Sequence, residues 1–240
     1  MADDPLAREN LSTLKALQAE GQQVGSRGYH MQLSGFFHWG FVVYRCDYTD
    51  DELWARFIAR LRHEVDAYMG RNHEDRTTGP YLEWTIIEDR ESLDRATKEQ
   101  VRELFRTWRR GLSVERDGPG ADNPLTTRLP RFEYCVHIGD DSLSSLLDWE
   151  KYKAGGGRGR GPPVKCALVS VPAEHPSAAL SASTLEDEGG ESDESEDLSD
   201  GHDIRWMYIP LDSWVVAYEE LHIGHGWDLI YKRPPEVGYW

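Results

Sequence analysis

The stretch FFHWGFVVYRCDYTDDELWARFIARLRHEVDAYMG, Phe36 to Gly70, changes its hydrophobic period once, and that change sets the fold class. Phe36 to Arg45 is aromatic and β-branched and apolar on both faces, which predicts a strand inside a sheet. Thr49-Asp50-Asp51-Glu52 then reads as a capping box. Beyond it Leu53, Trp54, Phe57, Ile58, Leu61, Val65, Tyr68 and Met69 trace one helical stripe. A strand that feeds an amphipathic helix makes this a mixed α and β chain.

The rest of the chain continues the pattern. Tyr81 to Glu88 reads as a second strand. Thr97-Lys98-Glu99-Gln100 opens a second helix, with Val101, Leu104, Phe105 and Trp108 inward, Arg102, Arg106, Arg109 and Arg110 outward, and Gly111 at its end. Arg131 to Gly139 alternates. Phe132, Tyr134, Val136 and Ile138 share one face, while Glu133, Cys135 and His137 share the other, which predicts a half-buried strand whose polar face is wet or lines a cleft. A short helix with Leu143, Leu146 and Leu147 follows, capped by Asp141 or Ser142, then the glycine-rich loop Gly155 to Pro163 and a strand from Val164 to Val171. Past an acidic stretch come a strand (Ile204 to Ile209), a helix (Ser213 to Leu221) and a last strand (Trp227 to Tyr231). This order predicts an α+β fold: a ferredoxin-like antiparallel sheet with helices on one face, an inserted helix and a C-terminal βαβ extension. A mixed sheet with helices on both faces is the competing arrangement.

Residues 1–34 read as an N-terminal segment with one candidate helix, Leu6 to Glu20. Residues 35–240 read as a single domain interrupted by an acidic insertion at about 174–203. Within the insertion, EDEGGESDESEDLSDGHD (Glu186 to Asp203) holds ten carboxylates and no Lys or Arg, too little apolar surface to offset the entropy of ordering it. Setting those ten aside takes the formal charge of the 240-residue chain from −16 to −6. Ser183 and Thr184 each have an acidic residue at +3, and Ser192 and Ser195 lie among carboxylates, so all four suit phosphorylation by an acid-directed kinase.

Cys46, Cys135 and Cys166 are isolated, with no CxxC spacing, which argues against a disulfide framework or a zinc site. The N-terminus lacks the pattern of a secretory signal, and no stretch approaches the ~20 apolar residues of a membrane span. A cytoplasmic or nuclear setting is expected.

WGFVVYRCDYTDDELWARFIARL (Trp39 to Leu61), RFEYCVHI (Arg131 to Ile138) and WDLIYKRPPEV (Trp227 to Val237) together resemble a set of intracellular proteins of filamentous fungi. The resemblance spans most of the body, excludes the acidic insertion, and implies a eukaryotic, cytosolic setting and no particular chemistry.

Three constellations carry candidate chemistry. Glu133 and His137 share the polar face of the third strand, with His38 on a neighbouring strand, and an imidazole with a carboxylate suits acid–base work. Their i, i+4 spacing puts them roughly 13 Å apart, so a substrate would have to lie between them. Arg45 and Asp47 form a candidate ligand-binding rim at the end of the first strand. His222, His225 and Asp228 offer metal-ligand types without the HExxH pattern, so no metal is expected. No GxGxxG follows a strand, no P-loop or GxSxG elbow occurs, and no cofactor is expected. The single RGRG run, Arg158 to Gly161, in an acidic chain argues against nucleic acid. The expected function is a non-catalytic interaction or ligand-binding module for a protein partner or a small molecule. The rival is a cofactor-independent enzyme acting through His137, Glu133 or His38.

Overall fold

The computed structural model describes residues 25–122, 129–171, 204–222 and 225–238, with Ala16 and Ala19 besides. Ala16 and Ala19 are helical; the rest of the expected Leu6 to Glu20 helix lies outside the described residues, as do Ser183, Thr184, Ser192 and Ser195.

Helix α1 (Gly25–Ser34) leads into β1 (Val42–Arg45), α2 (Asp51–Arg71), β2 (Ile86–Ile87), α3 (Lys98–Arg110), β3 (Tyr134–Ile138), α4 (Asp140–Ala154), β4 (Lys165–Ser170), β5 (Trp206–Pro210), α5 (Trp214–Glu220) and α6 (Gly226–Ile230). The five strands form one mixed sheet in the order β2-β1-β3-β4-β5. β1 is parallel to both β2 and β3, whereas β4 is antiparallel to β3 and β5 is antiparallel to β4. The expected ferredoxin-like antiparallel sheet is therefore not what forms. The helical connections from β1 to β2 and from β2 to β3 return the chain to the same end of the sheet, which makes these strands parallel.

Helices cover both faces. α2 lays Leu53, Trp54, Phe57, Ile58, Leu61, Val65 and Met69 against Phe41, Val43, Val136 and Ile138, and α4 adds Leu143 and Leu146. α3 covers the opposite face with Val101 and Phe105 on Val42, Tyr44, Cys135 and Val169. A strand flanked this way has no wet side, so β3 is buried along its whole length. Of the two expected outcomes for its polar face, only the cleft is met, and only at His137.

Local chemistry sets the boundaries. Asp50, not Thr49, caps α2 by accepting from the Leu53 N–H at 2.8 Å. The capping box of Thr97 and Gln100 forms as expected, and Gly111 caps the far end of α3. β1 is shorter than its apolar run because Gly40 turns the chain at φ 110°, where a Cβ would sit 2.8 Å from Leu82 Cδ1. Two of the outward arginines of α3 serve the sheet. Arg109 Nη1 donates to the Phe132 and Val171 carbonyls (3.0 and 2.7 Å), and Arg102 Nε donates to the Ser170 carbonyl (3.2 Å), satisfying strand-end acceptors.

Fifteen residues of α4 carry the chain away from the β3 end, and the glycine-rich loop brings it back, so β4 starts beside β3's C-terminal end. The loop runs flat over Tyr152: a Cβ on Gly157 or Gly161 would meet that ring at 2.5 or 2.6 Å. At the C-terminus the expected strand Trp227 to Tyr231 is instead α6. Trp227, Ile230 and Tyr231 fall at i, i+3 and i+4, and Trp227 stacks on Tyr134 with ring centroids 5.6 Å apart. The chain then touches the sheet again through a Tyr208–Val237 bridge.

α1 belongs to the body. Met31 joins the main core, and Arg27, 1% exposed, donates through Nη1 to Glu219 at 2.7 Å, pairs with Glu74, and lies 4.5 Å from the Trp39 ring centroid.

Candidate functional site

The sheet order reverses between β1 and β3: the chain leaves β1 toward β2 and leaves β3 toward β4 on the other side. In open sheets with parallel strands, the carboxyl ends of such strands splay their connections apart and leave a crevice. Here that crevice is a cleft of about 720 Å³. Cys46 and Asp47 from the end of β1, His137 and Gly139 from the end of β3, Ala96 to Glu99 at the start of α3, Asp140 and Asp141 at the start of α4, and Trp206 of β5 all line it.

His137 is the most constrained group. Strand pairing places Tyr44, His137, Ala167 and Tyr208 in one row across the sheet. His137 is 5% exposed, and its Nε2 lies 2.8 Å from the Ala96 carbonyl. A carbonyl only accepts, so Nε2 carries the proton and Nδ1 is left with a lone pair. Nδ1 has no hydrogen-bond partner outside its own residue. Burial holds the imidazole below its ordinary range. The Ala96 hydrogen bond and Asp141 oppose that shift and Lys98 adds to it, so the ring is neutral at neutral pH.

Asp141 anchors the other wall. It accepts from the Tyr208 hydroxyl and, at 3.0 Å, from the Ser142 N–H, and Lys98 Nζ stands 3.8 Å away. Burial alone would raise its pKa; the Tyr208 hydrogen bond, Lys98 and His137 outweigh that and hold it below the usual carboxylate range. The same contact, after burial, keeps the Tyr208 phenol protonated. Lys98 Nζ also lies 4.2 Å from the Trp206 ring centroid.

Cys46 and Asp47 make the β1 side of the cleft floor. Burial pushes the Cys46 thiol up to about 12, so it is no thiolate nucleophile at neutral pH. Asp47, 7% exposed, accepts on Oδ1 from the Thr49 N–H and hydroxyl at 2.8 and 2.6 Å.

The sequence candidates are separated by the fold. Of His137, Glu133 and His38, only His137 reaches the cleft. Glu133 ends the short helical turn Pro130–Glu133, before β3 begins. His38 precedes β1, six residues before the Tyr44 that pairs with His137, about 20 Å away along the sheet. It sits near Glu83, Arg131 and Asp117, and burial lowers its pKa. Arg45 and Asp47 part company. Asp47 lines the cleft, whereas Arg45 is buried between Tyr48 and Trp54, donating from Nε to the Asp47 carbonyl (3.0 Å) and pairing with Asp51. His222 stacks on His30 at 4.6 Å and donates from Nδ1 to the Tyr218 carbonyl (3.0 Å), while His225 and Asp228 are exposed. Among the described residues no cluster of three His, Cys, Asp or Glu side chains is placed to hold a metal. Lys98, Asp141, Tyr208 and Ala96 escape sequence reasoning because they meet only through strand order; the Asp140-Asp141 pair directly after an apolar strand was their one local signal.

Among the described residues no helix is long and apolar enough to cross a membrane. No family model, no curated protein and no solved structure matches the chain.

Proposed function

We propose that the protein is a ligand-binding module that takes a small polar molecule in the cleft at the carboxyl ends of β1 and β3. The carrying observation is the position of His137. A neutral imidazole with an unused acceptor forms part of the buried wall of a cleft whose size, about 720 Å³, suits a metabolite-sized ligand. An unpartnered buried acceptor is costly, and a ligand donor would remove that cost. The three buried, unpaired cysteines support a reducing setting, cytoplasmic or nuclear.

A thermal-shift screen of polar metabolites, followed by imidazole NMR on histidine-labelled full-length protein, tests the reading. A true ligand raises the melting temperature with concentration and moves the His137 resonances, and His137→Gln weakens it. If the stabilising compounds leave those resonances still and act equally on His137→Gln, the cleft is not the binding site.

One observation favours a second reading, acid–base chemistry on the bound molecule: the free Nδ1 lone pair is what a general base needs. Time-dependent loss of ligand with wild type, abolished in His137→Gln, separates turnover from binding.

A further inference from the structure

Taking the cleft as a ligand site, we propose that it selects a small organic cation, a primary amine whose ammonium sits on Asp47 and donates to His137 Nδ1. Both hydrogen bonds to Asp47 land on Oδ1, so Oδ2 is left without a hydrogen bond, and no ion pair reaches the side chain among the described residues. Arg45, only two residues away, gives its Nε to the Asp47 carbonyl and its other nitrogens to Asp51 and Glu88. Oδ2 is not fully enclosed, so a carboxylate oxygen without a hydrogen bond remains on the cleft wall, where a cationic ligand can pair with it.

A second, independent feature points the same way. His137 is 5% exposed, and its Nδ1 is a buried acceptor with no partner outside its own residue, so it too calls for a donor. The outer part of the cleft already holds an ammonium of the protein's own: Lys98 Nζ stands 3.8 Å from Asp141 and 4.2 Å from the Trp206 ring centroid. That leaves Asp47 and His137 for an external one. Among the described residues of the lining, Asp47, Glu99, Asp140 and Asp141 outnumber the cations Arg95 and Lys98.

Anions are disfavoured even though two helices begin here. The α3 start is closed by its capping box and carries Glu99, and the first turn of α4 carries Asp140 and Asp141, with Asp141 taking the Ser142 N–H. These acidic side chains occupy the positive helix ends that a phosphate or carboxylate would use.

The probes are tyramine, its neutral counterpart tyrosol and its anionic counterpart 4-hydroxyphenylacetate, with putrescine as a second amine and zinc and magnesium chlorides as metals. Each is titrated into full-length protein with His137 imidazole shifts and melting temperature as readouts. An amine should move His137 and bind roughly tenfold or more tightly than the alcohol, with the carboxylate weaker still. Asp47→Asn should erase the preference of amine over alcohol, and the rim variant Asp140→Asn, which leaves the floor intact, should reduce it by roughly two- to threefold. If Asp47→Asn does not fold, Asp140→Asn carries the test.

Equal binding of the alcohol, or tighter binding of the carboxylate, with His137 shifted, would overturn the choice of a cation and leave the cleft as a ligand site. A metal that moves His137 while the amines do not would also overturn it. If no compound in the series moves His137, the choice of an amine falls, and the metabolite screen alone decides whether the cleft is a ligand site.

Discussion

His137 holds the carbonyl of Ala96 at 2.8 Å, so the third strand grips the residue that precedes the cap of α3. The bond links residues 41 positions apart in the chain and fixes the entry of the helix that covers one face of the sheet. It also chooses the tautomer that leaves Nδ1 open.

Replacing His137 with Phe therefore removes more than a ligand group. The Ala96 carbonyl loses its partner, and the variant should be about 1–3 kcal/mol less stable in urea unfolding, with an unchanged slope. His137→Gln can still donate to Ala96 and should recover part of that loss.

Gly139→Ala probes the same ring by contact. A Cβ there would lie 2.7 Å from His137 Cε1, at an ordinary backbone conformation, so the effect is steric. The variant should fold, lose roughly 1–3 kcal/mol, and displace the His137 imidazole resonances more than other histidine signals.

Acid should weaken the junction of α1 with the body. Burial, joined by His30 and Arg27, depresses His222 from 6.5 to about 3, against the opposing Tyr218 hydrogen bond, and burial also lowers His30. In this window the unfolded chain binds a proton that the folded chain refuses. Stability is therefore full above about pH 6.5 and falls as pH drops toward about 3, by roughly 1.4 kcal/mol per unit for a group fully in that regime. Denaturant midpoints across this range should decline less steeply in His222→Gln than in wild type.

Deleting Glu186 to Gly201 should leave cooperative unfolding intact. β4 and β5 are hydrogen-bonded neighbours on either side of that stretch, and their described pairing ends at Val169 and Trp206. A shorter connection costs little in closure entropy, so the midpoint should stay within about 1 kcal/mol of wild type. A broad, non-cooperative melt would show that the segment contributes to the fold.

What the sequence revealed was whatever is decided locally. The α2 stripe from Leu53 to Met69, the Thr97–Gln100 box and the Gly111 cap are set by neighbours within four residues, and each has the same chemistry in the structure. Strand direction is different. Val42 to Arg45 reads identically beside a parallel or an antiparallel partner, so only the crossovers distinguish the mixed sheet from the ferredoxin-like one. Alternation puts Glu133 on the face of His137, yet Pro130 at the first helical position starts a turn, so the extended strand begins only at Tyr134. WDLIY admits both periods, and the stacking of Trp227 on Tyr134, with the Tyr231 ring 5.5 Å from Trp227 at i+4, selects the helix. The cleft itself was invisible, since Asp47, Lys98 and Asp141 lie far apart in sequence and share one only because the sheet reverses between β1 and β3.

The burial of Arg27 has a practical consequence for anyone trimming this chain. A recombinant protein begun at residue 35, where sequence composition invites the cut, would lose Arg27 and Met31 together. It would bare the face of Trp39 and leave Glu74 and Glu219 without their cation. Such a truncation should express poorly or aggregate, whereas one begun at residue 24 keeps the plug in place. Limited proteolysis should accordingly yield a stable fragment that retains Gly25 to Ser34.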